Sequence, residues 1–377
     1  MSHDIPQARS RPVLLSLPES TWRPSPRLRR RISRATRAAT WRVLHPAHRE
    51  SFLDGGEPVA LSRLTYTTPD GWSAPLFHLP PRAGGAGEPV VLAHELGLGP
   101  DAYRYGGGPT LVSRLCRAGF SVYLLTHRGD RAAVGGPVAA ADFDSILGLD
   151  VPAALRTIRE HSGYARAHWV GHGLGGQLGL VAAGRDPSAL ASVSAIGAPV
   201  RFPRFASEWR ARALALRLLP PGWRIPLRSL AEWAAPLTGQ PGLAVSAARA
   251  RGLMTYGAED LPIALVRQVL RWVREGRLVS RDGSVDWTAS LASGRAPLRL
   301  IVGEADPLWA PAFAEAAADL WQGPSVVQRL AGWTHLDAVV AEDAGETVHA
   351  PLVDWLVGHR RLAWGQAWAH HSLQAAI

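Results

Sequence analysis

Short apolar runs alternate with helix-period stripes along most of this chain. Val90–Ala93, Phe120–Leu125, Ala167–Val170, Ser192–Ile196 and Leu298–Val302 are nearly free of polar residues. That is the pattern of strands buried on both faces in a parallel sheet. Leu61–Thr67 and Trp72–His78 flank Asp70-Gly71, which predicts a hairpin. Between the runs the spacing turns helical. Thr110–Ala118, Leu174–Ala183 and Pro351–Leu356 suit helices, and Asp150 is placed to cap another that carries Pro152 in its first turn. Alternating strand and helix predicts an α/β fold, a doubly wound and mostly parallel sheet.

Two stretches break the rhythm. Residues 1–48 are basic, with Leu28, Ile32, Ala35, Ala39 and Val43 on one helical stripe. This arm is either solvated and folded onto the body or a surface-binding amphipathic segment. The second stretch separates the strands at Ser192 and Leu298. It is rich in Arg, Trp and Pro, with helical spacing at Ala206–Leu218 and Pro262–Glu275. An insertion there would overlie the C-terminal ends of the strands, where such sheets bind ligands. The expected division is therefore a basic arm (1–48), a core in two parts (49–202 and 296–377) and an inserted helical lid (203–295). Trp209, Trp223, Trp233, Trp272 and Trp287 of this region either pack lid against body or line an apolar pocket.

The chain has 377 residues and a formal charge of +10. Every one of its 41 basic residues is Arg, and neither Lys nor Asn occurs. A GC-rich coding sequence explains that bias better than a nucleic-acid partner does. No zinc-ligand spacing, helix-turn-helix signal or cofactor motif is present, so neither metal nor cofactor is expected. The single cysteine, Cys116, excludes a disulfide within the chain. No apolar run reaches the roughly 18 residues a spanning helix needs, and none near the N-terminus suits a signal peptide. A soluble, cytoplasmic protein is expected.

The chemistry centres on Gly171-His172-Gly173-Leu174-Gly175, which follows a buried run and opens a small-residue helix. A phosphate-binding loop would need a Lys-Ser/Thr pair, which is absent. The stretch resembles the nucleophile elbow of the α/β-hydrolase superfamily, Gly-x-Ser-x-Gly. The likeness extends to Val91-Leu92-Ala93-His94, similar to that family's oxyanion loop, and to Tyr123–Gly129. Asp306, just after a strand, and His335 follow in the chain order of its acid and histidine. Asp150–Ala154 resembles the helix before the elbow in bacterial esterase/lipase-like and polyester-synthase-like members.

The resemblance implies that Asp306 orients His335, that His335 is a general base, and that the backbone of Glu95, Leu96 and Leu174 forms the oxyanion hole. The outer elbow glycines would be Gly171 and Gly175, where strand and helix leave no room for a Cβ. His172 would be structural. Gly173 stands in the place of the nucleophile and offers no atom for an acyl-enzyme. Ser162 and Ser188 are not at the turn. Glu95, where the family usually has Gly, would oppose an oxyanion. It would point to solvent, pair with Arg, or sit buried and protonated.

Three functions follow. The chain is a protein of esterase/lipase-like ancestry that is inactive as a serine hydrolase and binds a small apolar or acyl ligand. Alternatively it is a hydrolase, lyase or isomerase that uses His335 and Asp306 to activate water or abstract a proton. Or it is a surface-binding protein that uses the basic arm on membranes or nucleic acid, weak membrane-surface contact being the favoured form. Gain of esterase activity in Gly173→Ser would show that the rest of the triad and the hole are assembled, and no fluorophosphonate labelling of the wild type is expected. Nothing in the residues fixes an oligomeric state.

Overall fold

The computed structural model describes residues 51–54, 57–104, 110–203, 216, 218–227, 247–306 and 308–360. The basic arm, Trp209, Trp233 and most of the helix expected at Ala206–Leu218 lie outside them.

The sheet has eight strands: β1 (Ser62–Thr67), β2 (Ser73–Leu79), β3 (Pro89–Ala93), β4 (Ser121–Leu125), β5 (Ala167–His172), β6 (Leu190–Ile196), β7 (Leu298–Gly303) and β8 (Ser325–Leu330). Their order is β1-β2-β4-β3-β5-β6-β7-β8. β1–β2 and β2–β4 pair antiparallel, and every other pair is parallel. The mostly parallel, doubly wound sheet is thus present. Its edge strand β8 escapes the apolar pattern because most of its residues are half-buried or exposed; Val326 and Val327 face solvent in part.

Alternation along each strand divides the core in two. Val91, Ala93, Tyr123, Leu125, Trp169, Val193 and Leu300 join one apolar cluster. Their chain neighbours Val90, Leu92, Val122, Leu124, Val170 and Ile301 join the other. The first is completed by helices α2 (Val151–Ser162) and α3 (Leu174–Arg185). The second is completed by α1 (Leu111–Arg117) and the C-terminal helix Ala350–Gly358. Helices on both faces explain why these strands read as continuous apolar runs.

Asp150 does not cap α2. Its backbone is already helical, because a wider, π-type turn (Ile146–Asp150) runs into α2 from a short helix capped by Asp142. The Asp150 carboxylate instead accepts from Arg128 N at 2.6 Å and Arg128 Nε at 2.8 Å. Arg128 also donates to Asp70 at 2.7 Å, so one buried guanidinium ties the β1–β2 hairpin, the β4 turn and α2 together.

The insertion between β6 and β7 contains helices α4 (Ala247–Gly257) and α5 (Ile263–Glu275). Its residues lie on the loops that follow the strands. Leu98 bridges Ala258, Gly99 N donates to Gly257 O at 2.7 Å, and Glu259 N donates to Gly97 O at 2.8 Å. Trp272 is fully buried, edge-on to Phe143, and donates to Val279 O. Trp287 donates to Asp144. These two tryptophans pack the insertion onto the body, while Trp223 is 59% exposed.

Candidate active site

Strand order reverses at β3, which lies between β4 and β5. The crevice beyond the C-terminal ends at such a reversal is where open α/β sheets take ligands. Ala93 pairs with Gly171 across β3 and β5. The loop opening with His94-Glu95 and the turn at Gly173 are therefore the next residues along two adjacent strands.

The β5–α3 turn is tight. A Cβ on Gly171 would overlap the Gly175 carbonyl, and one on Gly175 would overlap the Ala93 carbonyl. Trp169 Nε1 donates to Gly175 O at 2.8 Å and fastens strand to helix. Gly173 sits at φ 48°, ψ −110°, a region that L-residues enter only under strain. A Cβ built on Gly173 would overlap the carboxylate of Glu95, with Oε2 nearest.

That carboxylate is largely buried and, among the described residues, pairs with histidine rather than with Arg. Oε1 accepts from Leu96 N and, at 3.2 Å, from Leu174 N. Oε2 accepts from His335 Nε2 at 2.8 Å. His335 Nδ1 lies 2.9 Å from Asp306 Oδ2. Oδ1 of Asp306 accepts from Leu308 N and Trp309 N at 2.8 and 3.0 Å, which fixes that carboxylate. The result is a continuous line, Glu95–His335–Asp306, with side chains 16%, 6% and 3% exposed.

Charge follows from this arrangement. Burial pushes the His335 imidazole down, but hydrogen bonds to Asp306 and Glu95 and their two charges outweigh it, taking it up to about 10. Burial likewise pushes the Glu95 carboxyl up. The hydrogen bond and charge of His335 and the Leu96 N–H outweigh burial and hold it below its usual range. The expectation of a protonated Glu95 fails for that reason. At neutral pH His335 is therefore an imidazolium facing the Glu95 carboxylate.

The surrounding histidines position it. His172 Nε2 donates to His335 O at 2.9 Å, and the two rings lie 4.5 Å apart. Burial, then the His335 charge, pushes His172 down to about 4, so it is neutral. His94 Nδ1 donates to Glu95 O at 3.1 Å, and its Nε2 lies 3.0 Å from Asp130 Oδ2. Two triads among the described residues bring possible metal-ligand atoms close, His94–His127–Asp130 and Glu95–His172–His335. In the second, both ring nitrogens of His335 are already engaged by carboxylates.

All the residues singled out in the sequence, His335, Asp306, Gly173, Glu95, Leu96, Leu174, Gly171, His172 and Gly175, thus converge on one place. What sequence reasoning missed is the direction of Glu95. Its signal was an acidic residue after the loop histidine, but nothing along the chain ties that residue to a glycine 78 positions away.

Residues 90–354, well over half of the chain, match the alpha/beta hydrolase family, and the chain belongs to it. The comparison with curated proteins finds no match. Among solved structures it is similar to a monoacylglycerol lipase of Paleococcus ferrophilus, at 22% identity and TM-score 0.54, covering 80% of this chain and 99% of that one. It is also similar to a thermophilic esterase from Thermogutta terrifontis (19%, TM-score 0.55, covering 80% and 100%). A third is epoxide hydrolase A from Mycobacterium thermoresistibile (20%, TM-score 0.54, covering 79% and 99%).

Proposed function

We propose that this chain is a hydrolase that works without an elbow nucleophile, with Glu95, His335 and Asp306 as its reacting groups. Gly173 stands where the family places a nucleophilic side chain, and the Glu95 carboxylate fills the space that side chain would take. One observation carries the reading. Glu95 has one oxygen on two backbone N–H groups, at Leu96 and Leu174, and the other 2.8 Å from the imidazole of His335. An acid merely filling a hole would need neither the histidine nor the aligned donors.

The residues take these roles. Leu96 N and Leu174 N are the oxyanion donors. His335 holds a proton on Nε2 at rest and gives or takes it as Glu95 loses or regains its charge. Asp306 fixes the ring from the Nδ1 side. The insertion, lying on residues 97–99, acts as the lid. The esterase, lipase and epoxide hydrolase among the structural neighbours mark the range of bonds to try.

A second reading has support from the same contact. A carboxylate seated on both donors would have to be displaced by any ligand carbonyl, which suits a closed, non-catalytic ligand-binding site. One experiment separates the two: short-chain esters, lactones and epoxides are incubated with the wild type, Glu95→Gln and His335→Ala, alongside fluorophosphonate labelling. The proposal expects no labelling. It also expects turnover of at least one class, reduced on the order of 10²–10⁴-fold in each variant. Turnover that both variants retain in full would remove these residues from the reaction. Labelling of the wild type would restore a serine mechanism.

A further inference from the structure

Resting on that reading, we propose that Glu95 is a covalent nucleophile toward saturated carbon. Its substrates are strained cyclic ethers (epoxides), opened through a glutamyl ester on the loop after β3.

The occupancy of the hole selects the substrate. An ester or thioester substrate develops its negative charge on its own carbonyl oxygen, which must then sit on Leu96 N and Leu174 N. Those donors already hold Glu95 Oε1. Glu95 cannot attack an acyl carbon from that position and vacate the hole at the same moment, and the product would be a high-energy anhydride. Attack on saturated carbon makes neither demand. Oε2 forms the new bond while Oε1 stays on its two donors and becomes the carbonyl oxygen of the ester.

The histidine completes the balance. As the Oε2–carbon bond forms, the ring carbon–oxygen bond breaks and leaves an alkoxide on the neighbouring carbon. The alkoxide takes the Nε2 proton of His335, giving a hydroxyalkyl ester and a neutral imidazole. With Glu95 esterified, one of the two carboxylates that held that proton has lost its charge, so the imidazole is now a base. It takes a proton from water as the water oxygen bonds to the Glu95 carboxyl carbon. The tetrahedral oxyanion forms at Oε1, already on Leu96 N and Leu174 N. Collapse breaks the bond from the carboxyl carbon to Oε2, and the proton of the added hydroxyl passes to the departing Oε2, releasing a diol that carries Oε2. Glu95 is thereby a carboxylate again, and the other water proton stays on His335. Epoxide plus water gives diol, with the protein returned to its starting state. A leaving group needing no proton, such as a halide, would make no use of the Nε2 proton at 2.8 Å, so the cyclic ether is the better fit.

The test uses full-length wild-type protein with styrene oxide and 1,2-epoxyhexane. Under single-turnover conditions in ¹⁸O-water, peptide mass spectrometry should find the label in the peptide containing Glu95, with the diol unlabelled. An acid quench during steady-state turnover of the wild type should trap the same peptide carrying the added mass of one epoxide, and His335→Gln, which has neither the proton donor nor the base, should lose turnover. Glu95→Gln should lose both turnover and adduct, with its fold checked by circular dichroism. Label in the diol and none in Glu95 would mean direct attack by water. That overturns the covalent step while leaving Glu95 and His335 as acid and base. Neither turnover nor adduct with both epoxides overturns the substrate class. If an ester or lactone is then hydrolysed in a Glu95-dependent way, the broader reading survives. If no substrate depends on Glu95, both fall.

Discussion

At the scale of single residues, Gly173 and Glu95 claim one volume. A Cβ at position 173 meets the Glu95 carboxylate, so Gly173→Ser by itself is expected not to rebuild a serine site. Gly173→Ala should cost at least about 1–3 kcal/mol from backbone strain alone, with the overlap added. Glu95→Gly should recover the overlap but not the strain. A double-mutant cycle read by urea unfolding should show coupling above about 0.5 kcal/mol, the level at which contacting sites cease to be additive. Additive effects would mean that the two groups do not compete. The imidazole supplies a pH test. The folded-state value of His335, about 10, lies above its unfolded value near 6.5. Its contribution to stability is thus full below about 6.5 and is lost as pH rises through 10. Glu95→Gln removes one of the charges behind that shift. The melting-temperature gap between wild type and Glu95→Gln should narrow from pH 6.5 to 10. A gap that is constant across this range would deny the ion pair.

At the scale of elements, most of the fold was legible because buried parallel strands carry little but apolar residues. β3 to β7 each stand out in this way. β8 was not legible, since an edge strand with exposed valines lacks the signal, and the helix Pro311–Leu320 before it went unread with it. The elbow was legible through its glycines, which mark where backbones meet. Gly171→Ala should destabilise by about 1–3 kcal/mol or more, the cost of forcing atoms into a filled space, against the Gly175 carbonyl. The start of α2 was misread because Asp150 looks like a cap, whereas its carboxylate serves Arg128. Arg128 is 1% exposed. Arg128→Ala leaves the buried Asp150 without its partner and should cost about 3–5 kcal/mol. A loss below about 1 kcal/mol would show that water reaches the carboxylate.

At the scale of the whole molecule, residues far apart in sequence meet because strand order differs from chain order. Glu95, Gly173, Asp306 and His335 come from four separate connections, and only the sheet brings them to one end. That is why the list of site residues could be drawn up from the chain while their contacts could not. The insertion adds a fifth segment through Ala258 and Glu259. Glu259→Pro deletes the N–H that bonds Gly97 O. Hydrogen exchange at Gly99, whose amide is bonded to Gly257 O, should then quicken, and Glu95-dependent turnover should fall with it. Unchanged exchange would mean that the insertion is not anchored there. Among the described residues no helix is long and apolar enough to cross a membrane.

The amide of Leu96 bonds the side chain of the residue just before it. The acid and half of its cradle therefore travel as one short piece of chain. Lengthening or tilting this loop would carry both together relative to the imidazole, keeping their mutual spacing while changing their reach. Grafting the His94–Leu96 tripeptide onto a sister scaffold with glycine at its bend would transplant a finished half-site, with no need to bend a second residue into an unfavourable backbone shape.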